Sequence, residues 1–236
     1  MRSLFSIGLV FALFTDLSVY AGDVYQYKKA SRDGIGKFYH GREISGVMGF
    51  LGASWLDRSS REEEEKLSLL LNNLGIKRGM NIADVGAGTG RLSFPMAKRT
   101  GPKGRVYAAD IQQEMLDIIE DKKKKKQLKN LIAVKSTKKR TGLPRNKIDI
   151  AIMVDVYHEL SWPEEVMTDL SKAMRKGGMV VLVEYRGEDP SVPIKPLHKM
   201  TKAQVLKEMS SADFGLKYSH TVDALPRQHM IFFQKM

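Results

Sequence analysis

Three short stretches hold residue types able to do chemistry. Ala83–Gly90 reads A-D-V-G-A-G-T-G, Arg105–Asp110 reads R-V-Y-A-A-D, and Asp155–Leu160 reads D-V-Y-H-E-L. In the first, Gly86, Gly88 and Gly90 alternate with Ala87 and Thr89. The apolar run Met80–Val85 precedes the turn and a helix-like segment, Arg91–Thr100, follows it. Glycines at alternate positions let the backbone turn tightly and let a ligand approach it closely. The turn delivers that ligand to a helix N-terminus, where unpaired N–H groups and the dipole favour a carboxylate or phosphate. Asp84, one step inside the strand, can fix the turn from below. Asp110 ends a β-branched and aromatic run about twenty residues after the glycines, where nucleotide-binding α/β folds place an acid that accepts hydrogen bonds from ribose hydroxyls. A helix N-cap is the plainer account of the same residue. Asp155, Tyr157, His158 and Glu159 crowd the end of a further apolar run. His158 can serve as a general base near neutral pH; packing on the rim, satisfied by Asp155 or a carbonyl, is the alternative.

The glycine spacing is G-x-G-x-G, because Arg91 stands where a dinucleotide fingerprint needs its third glycine. That disfavours a dehydrogenase. The stretch resembles motif I of the class I S-adenosylmethionine (SAM)-dependent methyltransferases, and the resemblance continues through Asp110 and Ile111 and covers roughly residues 60–236. It implies SAM as cofactor. Asp84 and Gly86–Gly90 (Ala87 and Thr89 included) would hold the methionine end, Asp110 the ribose and Ile111 the adenine. Asp155–Leu160 resembles motif IV of the same superfamily. It lacks the Asp/Asn-Pro-Pro-aromatic form typical of enzymes that methylate exocyclic amines of DNA bases, and the absence of cysteine excludes cytosine C5 chemistry. His158, Asp155 and Tyr157 are therefore the candidate catalytic residues. Loops on a rigid scaffold often carry function. Val183–Met200, stiffened by Pro190, Pro193 and Pro196, offers Glu184, Tyr185, Arg186 and His198 as substrate-facing candidates, with Lys199 beside them. Pro226–His229 is a further rim candidate or a plain hairpin turn. A narrower resemblance is to uncharacterised bacterial methyltransferases with a signal-like N-terminus. They share this loop, the G-R-E-I element (Gly41–Ile44) and the W-L-x-R element (Trp55–Arg58); this likeness brings no known substrate.

The elements that must position these residues follow from periodicity. Ser60 and Glu63 read as a capping box, with Leu67, Leu70, Leu71 and Leu74 at helical spacing and Gly75 as the stop. Leu131–Val134 reads as a third strand, Ile148–Val154 as a buried fourth and Met179–Val183 as a fifth. Between the last two, a helix is expected with Ser161 as N-cap, Pro163 in its first turn and Lys176-Gly177-Gly178 as its end. Thr201 and Gln204 box another helix, and Leu216–Val222 with Met230–Gln234 make a closing strand pair. Strands alternating with helices imply an α/β fold with a doubly wound, Rossmann-like, mostly parallel sheet. The resemblance adds an antiparallel last strand.

Composition bounds the rest. At 236 residues and 42% hydrophobic content, the chain supports one domain of ordinary size with short additions. A formal net charge of +12 suits an anionic partner: nucleic acid, an anionic membrane or an acidic substrate. A small-molecule acceptor is the first expectation, because the polar loops resemble a pocket cover. A non-catalytic SAM-binding protein, or a basic RNA- or lipid-associated module retaining the fold, is the rival. The lysines Lys122–Lys126 read as a solvated helix end or, less simply, as an anion-binding patch that Lys138, Lys139 and Arg140 would extend. No histidine or acid shows metal-ligand spacing, so no metal is expected. Residues 22–59, too apolar and aromatic for a linker, read as a short helical lid or substrate-facing extension; the alternative is that Met48, Phe50, Trp55 and Leu56 pad the sheet edge. In residues 1–21, Arg2, the apolar run Leu4–Phe14 and Val19-Tyr20-Ala21 outline a signal peptide cleaved after Ala21. As a helix the run spans roughly 16 Å, about half a bilayer core. That points to an exported, periplasmic or membrane-associated protein; a cytoplasmic protein with a buried N-terminal helix is the alternative.

Overall fold

The computed structural model describes residues 24–236. The apolar run Leu4–Phe14 and the cleavage point after Ala21 lie outside them. Among the described residues no helix is long and apolar enough to cross a membrane.

The described chain opens with a small antiparallel sheet: β1 (Tyr25–Tyr27), β2 (Gly34–Tyr39) and β3 (Arg42–Ser45). A short 3₁₀ turn (Phe50–Gly52) leads to three brief helices, α1 (Ala53–Leu56), α2 (Arg61–Glu65) and α3 (Leu67–Asn73). The α/β part follows: β4 (Asn81–Val85), α4 (Ser93–Thr100), β5 (Arg105–Asp110), α5 (Gln113–Lys126), β6 (Leu131–Lys135), β7 (Ile148–Val154), α6 (Pro163–Ala173), β8 (Met174–Tyr185), α7 (Lys202–Ser210), β9 (Leu216–Val222) and β10 (Gln228–Lys235). The large sheet has seven strands in the order β6-β5-β4-β7-β8-β10-β9. Strands β6 through β8 pair in parallel, and β10 runs antiparallel to both β8 and β9. This is the expected doubly wound sheet with an antiparallel last strand.

Successive side chains of a strand face opposite sides of the sheet. Ile82, Val106, Ile150 and Val181 therefore join the core under α3, α4 and α5, while Ala83, Ala151, Val180 and Leu182 join the core under α6 and α7. Both faces are covered, which is why Ile148–Val154 reads as an almost unbroken apolar run. The C-terminal ends of the parallel strands form the rim on which ligands bind in open α/β sheets.

Several boundaries differ from the sequence reading. Residues 22–59 are not mainly helical: in the described part, the chain turns at positive φ at Gly36, His40 and Gly41 and folds as the three-stranded sheet. The helix expected from Ser60 is two pieces, broken where Lys66 takes a left-handed conformation (φ 51°), and Ser60 makes no side-chain cap. Trp162, not Ser161, precedes α6, and that helix ends at Ala173 because β8 starts at Met174, three residues before Gly177. The Thr201 cap stands: its hydroxyl accepts from the Gln204 N–H at 3.1 Å. The lysines close α5 as a cationic helix end, with Lys123 on Glu120 and Lys124 near Asp121. Lys122 reaches further, to Asp57 at 2.8 Å and to the Thr89 carbonyl at 3.2 Å.

Candidate functional site

The glycine turn closes on itself against β5. Gly86, Gly88 and Gly90 all have positive φ (74°, 53° and 78°), which a side chain would strain. The Gly86 and Ala87 N–H groups donate to the Ala109 carbonyl at 2.8 and 3.1 Å. Gly88 N–H donates to Asp110 Oδ2 at 2.9 Å, and Gln112 N–H to Asp110 Oδ1 at 2.9 Å. The Asp110 carboxylate thus ties the turn to the start of α5, although Gln112 and not Asp110 is the N-cap of that helix; each oxygen takes one backbone donor and keeps a lone pair. Burial raises its pKa, against the lowering effect of those N–H donors. Ile111 beside it stays partly exposed, at 38%.

Asp84 is buried and accepts from Ser93 Oγ at 2.6 Å, joining the last turn of β4 to the first residue of α4. Burial pushes its pKa up to about 6, the Ser93 bond opposing and Asp110 adding to the shift. Asp84 also faces a small pocket lined by Leu56, Arg61, Gly86, Gly88 and Val154. Thr89 is engaged from above, its hydroxyl donating to Asp57 Oδ1 at 2.8 Å. The segment after β3 therefore sits directly over the turn.

Arg61, which sequence reasoning does not single out, is buried and lines that pocket. Its guanidinium donates to Glu65 at 2.7 Å and to the Leu56 carbonyl at 3.1 Å, and lies 4.0 Å from Asp155. Nothing in a single sequence separates this arginine from its charged neighbours. The W-L-x-R element closes the same network: Arg58 stacks on Trp55 and pairs with Glu64 and Glu65.

At the end of β7, Asp155 adopts φ 55° and accepts both of its close contacts from Gln228 Nε2, at 2.9 and 2.8 Å. Burial raises its pKa, with Glu65 and Glu184 adding to the shift. Gln228 and His229 are buried on β10, so the Pro226–His229 segment does reach the rim. His158 is buried with Nδ1 2.5 Å from Glu184 Oε2 and Nε2 3.2 Å from His198 Nδ1. Glu184, fully buried at the end of β8, also accepts from the Tyr157 N–H at 2.9 Å. Burial lowers the His158 pKa, but the charge and hydrogen bond of Glu184 outweigh it and the net shift is upward.

Three of the expected residues are differently placed. Tyr157 is fully buried and its ring packs in the core under α6 and α7. The Tyr185 hydroxyl donates to Glu65 at 2.9 Å within the buried network. Arg186 clamps the turn before β10, donating to the Pro226 carbonyl at 2.8 Å and to the carbonyls of Asp223 and Leu225. Tyr185 and Arg186 thus spend these polar groups on holding the rim together, while the buried Tyr157 hydroxyl makes no hydrogen bond.

The fold also collects what sequence spacing does not show. His158 Nε2, Glu159 Oε1 and His198 Nδ1 converge within 4.8 Å of one another, a grouping able to hold a metal ion. The third member comes from a turn 40 residues away, so no local motif announces it. The G-R-E-I element braces this corner: Arg42 pairs in two contacts with Glu208 of α7, at 2.7 and 3.0 Å, and donates to the His158 carbonyl at 3.0 Å.

A parallel sheet of this order, a G-x-G-x-G turn and an acid at the end of the neighbouring strand define the class. The family model described as a methyltransferase domain matches residues 76–225, and the chain belongs to that family, the class I SAM-dependent methyltransferase domains. SAM is accordingly its cofactor. Ubiquinone/menaquinone biosynthesis C-methyltransferase UbiE of Cupriavidus taiwanensis is 27% identical over 125 residues, 53% of this chain and 49% of that protein. Demethylmenaquinone methyltransferase of Lactococcus lactis is 27% identical over 126 residues, 52% of this chain and 48% of that protein. The chain spans about half the length of the curated relatives it matches. The crystal structure of a SAM-dependent methyltransferase from Aquifex aeolicus superimposes with a TM-score of 0.74 at 26% identity, covering 80% of this chain and 100% of that one.

Proposed function

We propose that this protein transfers the SAM methyl group to a small-molecule acceptor bound at the rim between β4, β7 and β8. The observation that carries the cofactor half is the Gly88–Asp110 bond at 2.9 Å, which makes the turn and the acid one preformed unit. In this reading Asp84 and the Gly86–Gly90 turn hold the methionine end, with Ala87 and Thr89 in its wall. Asp110 accepts the ribose hydroxyls with its remaining lone pairs, and Ile111 lies along the adenine. Methyl transfer is a direct displacement at an already activated sulfonium, so the protein's task is alignment and exclusion of water.

The acceptor half rests on Asp155, His158, Glu184 and His198. With His158 Nδ1 held by Glu184, a proton leaving an acceptor through this residue has only Nε2 to use, and Glu184 makes that nitrogen more basic. The segment 46–59 is the cover. Its Asp57 and Leu56 already meet the turn, and Phe50, Leu51 and Trp55 present apolar surface beside them. Such a cover suits an acceptor with an apolar body. The quinone-pathway names of the curated relatives support a small organic acceptor in the same way.

The test is incubation of the purified protein with methyl-labelled SAM and a cell extract split into small-molecule, nucleic-acid, lipid and protein fractions. Label is expected in a small organic compound. Label confined to nucleic acid or protein would overturn the acceptor class, and no transferred label despite SAM binding would favour a binder without catalysis.

A further inference from the structure

We propose that His158, Glu159 and His198 form a mononuclear site for a first-row divalent transition cation of the Zn²⁺ kind, bound through His158 Nε2, Glu159 Oε1 and His198 Nδ1, with a remaining coordination position open to water or an acceptor oxygen. The separations carry the inference. The three atoms stand 3.2 Å (His158 to His198), 3.7 Å (His158 to Glu159) and 3.6 Å (His198 to Glu159) apart. A tetrahedral centre with bonds of about 2.0–2.2 Å holds its ligand atoms about 3.3–3.6 Å apart. The triangle already has nearly that size.

Each ligand is also held from behind, as ligands of built metal sites are. Glu184 Oε2, 2.5 Å from His158 Nδ1, fixes the ring with its proton on that side, which leaves the Nε2 lone pair aimed at the cluster. Glu184 is itself held by the Tyr157 N–H. Glu159 uses Oε2 to accept from the Met48 N–H at 3.3 Å, which turns Oε1 to the two imidazoles. His198 ends a 3₁₀ turn started by Pro196. Lys195 anchors that turn to Asp33 at 2.6 Å, and Lys199 anchors it to the Asp189 carbonyl at 3.1 Å.

Charge and ligand type agree. Two carboxylates, Glu159 and Glu184, face the two imidazoles, and the Arg42 guanidinium close by is matched by Glu208. A dication balances the corner. Two imidazoles and one carboxylate favour zinc-like or iron-like cations over the all-oxygen shells of Mg²⁺ and Ca²⁺. The side chains of His198 and Glu159 remain 24% and 14% exposed, so an ion has a path in and the open position has a way out. Without an ion, one hydrogen bond joins His158 Nε2 and His198 Nδ1; with one, both nitrogens give their lone pairs to the metal and that proton leaves the contact. With the ion bound, His158 Nε2 is a ligand and takes no substrate proton, so the base role proposed above belongs to the metal-free protein. The inference is independent of which acceptor the enzyme uses.

The test uses the full chain, stripped with a chelator and titrated with Zn²⁺ and with Co²⁺. One equivalent of Zn²⁺ is expected in calorimetry, and a Co²⁺ ligand-field spectrum with imidazole nitrogen ligands. His198→Ala and Glu159→Gln should each weaken Zn²⁺ binding at least about 100-fold, and Glu184→Gln about 10–100-fold through the outer contact. His220→Ala, on the exposed strand β9, should change nothing. Absence of stoichiometric binding, or binding indifferent to His198→Ala and Glu159→Gln, would leave only a hydrogen-bonded histidine pair and overturn the proposal. Should a variant fail to fold, the Co²⁺ spectrum of the parent decides alone: no spectrum, or one with oxygen ligands only, contradicts it.

Discussion

Gly86 lies against Val156 so closely that a Cβ on the glycine would fall 2.4 Å from Val156 Cγ2. The glycine turn after β4 and the rim segment after β7 therefore touch, and Gly86 is the contact. Val156 is β-branched and short, so it has little freedom to give way. Gly86→Ala would add this clash to the strain of φ 74°. The expected result is destabilisation of more than about 2 kcal/mol in urea unfolding, with SAM affinity reduced at least about tenfold. Gly75→Ala is the control: its φ is 64°, but nothing lies within 4 Å of the added carbon, so only the backbone cost of about 1 kcal/mol is expected. Equal losses in the two variants would mean that the Val156 contact is unimportant.

SAM binding should depend on pH through Asp84. Its carboxyl, raised from 3.8 to about 6, is mostly neutral at pH 5 and mostly ionised at pH 7. Because SAM carries a cationic sulfonium, affinity should rise across that interval with a midpoint near 6. Stability has the opposite sign: the raised pKa favours the folded state fully below about 4 and that contribution is lost as pH passes 6. Asp84→Asn should flatten the binding profile and raise the melting temperature at pH 8. A binding profile that keeps its midpoint in the variant would assign the titration to another group.

Arg42→Ala tests the brace on the far side of the rim. Glu208 is fully buried and would be left without its arginine. Removing one partner of a buried pair costs about 3–5 kcal/mol, which urea denaturation can read directly. A loss under about 1 kcal/mol would show that Glu208 finds another partner or a proton.

His158→Asn keeps a side-chain N–H for Glu184 while removing Nε2. In the metal-free protein turnover should fall about 10²–10⁴-fold, with SAM affinity within about threefold of the parent. Methyl transfer at the parent rate would mean that His158 only packs, and that alignment alone drives the reaction.

Much of this architecture is legible in the sequence, and the exceptions share a cause. β7 has its sequence-read bounds, Ile148–Val154, because both faces of a central parallel strand must be apolar. The glycine turn is legible because alternate positive φ angles demand glycine there. What fails depends on contacts distant in sequence. The β1–β3 sheet has no clean alternation, since it gains its order by docking, with Arg42 on Glu208 and Lys37 enclosed by Tyr25 and Trp162. The break at Lys66 leaves the leucine spacing intact and so leaves no trace in it. Tyr185 and Arg186 look substrate-facing in a polar loop, yet their polar atoms are taken by Glu65 and by the turn before β10. The His158–Glu159–His198 corner needs the β8 loop to fold back over β7 before its members meet.

The central claim is that the Gly86–Gly90 turn and Asp110 form the SAM site, and calorimetry of the purified chain with SAM tests it most directly. One molecule of SAM per chain is expected, with no binding of nicotinamide dinucleotides. Asp110→Ala should weaken SAM by about 1–3 kcal/mol, the range for lost charge-assisted hydrogen bonds. No SAM binding by the parent, or an unchanged affinity in Asp110→Ala, would contradict the account.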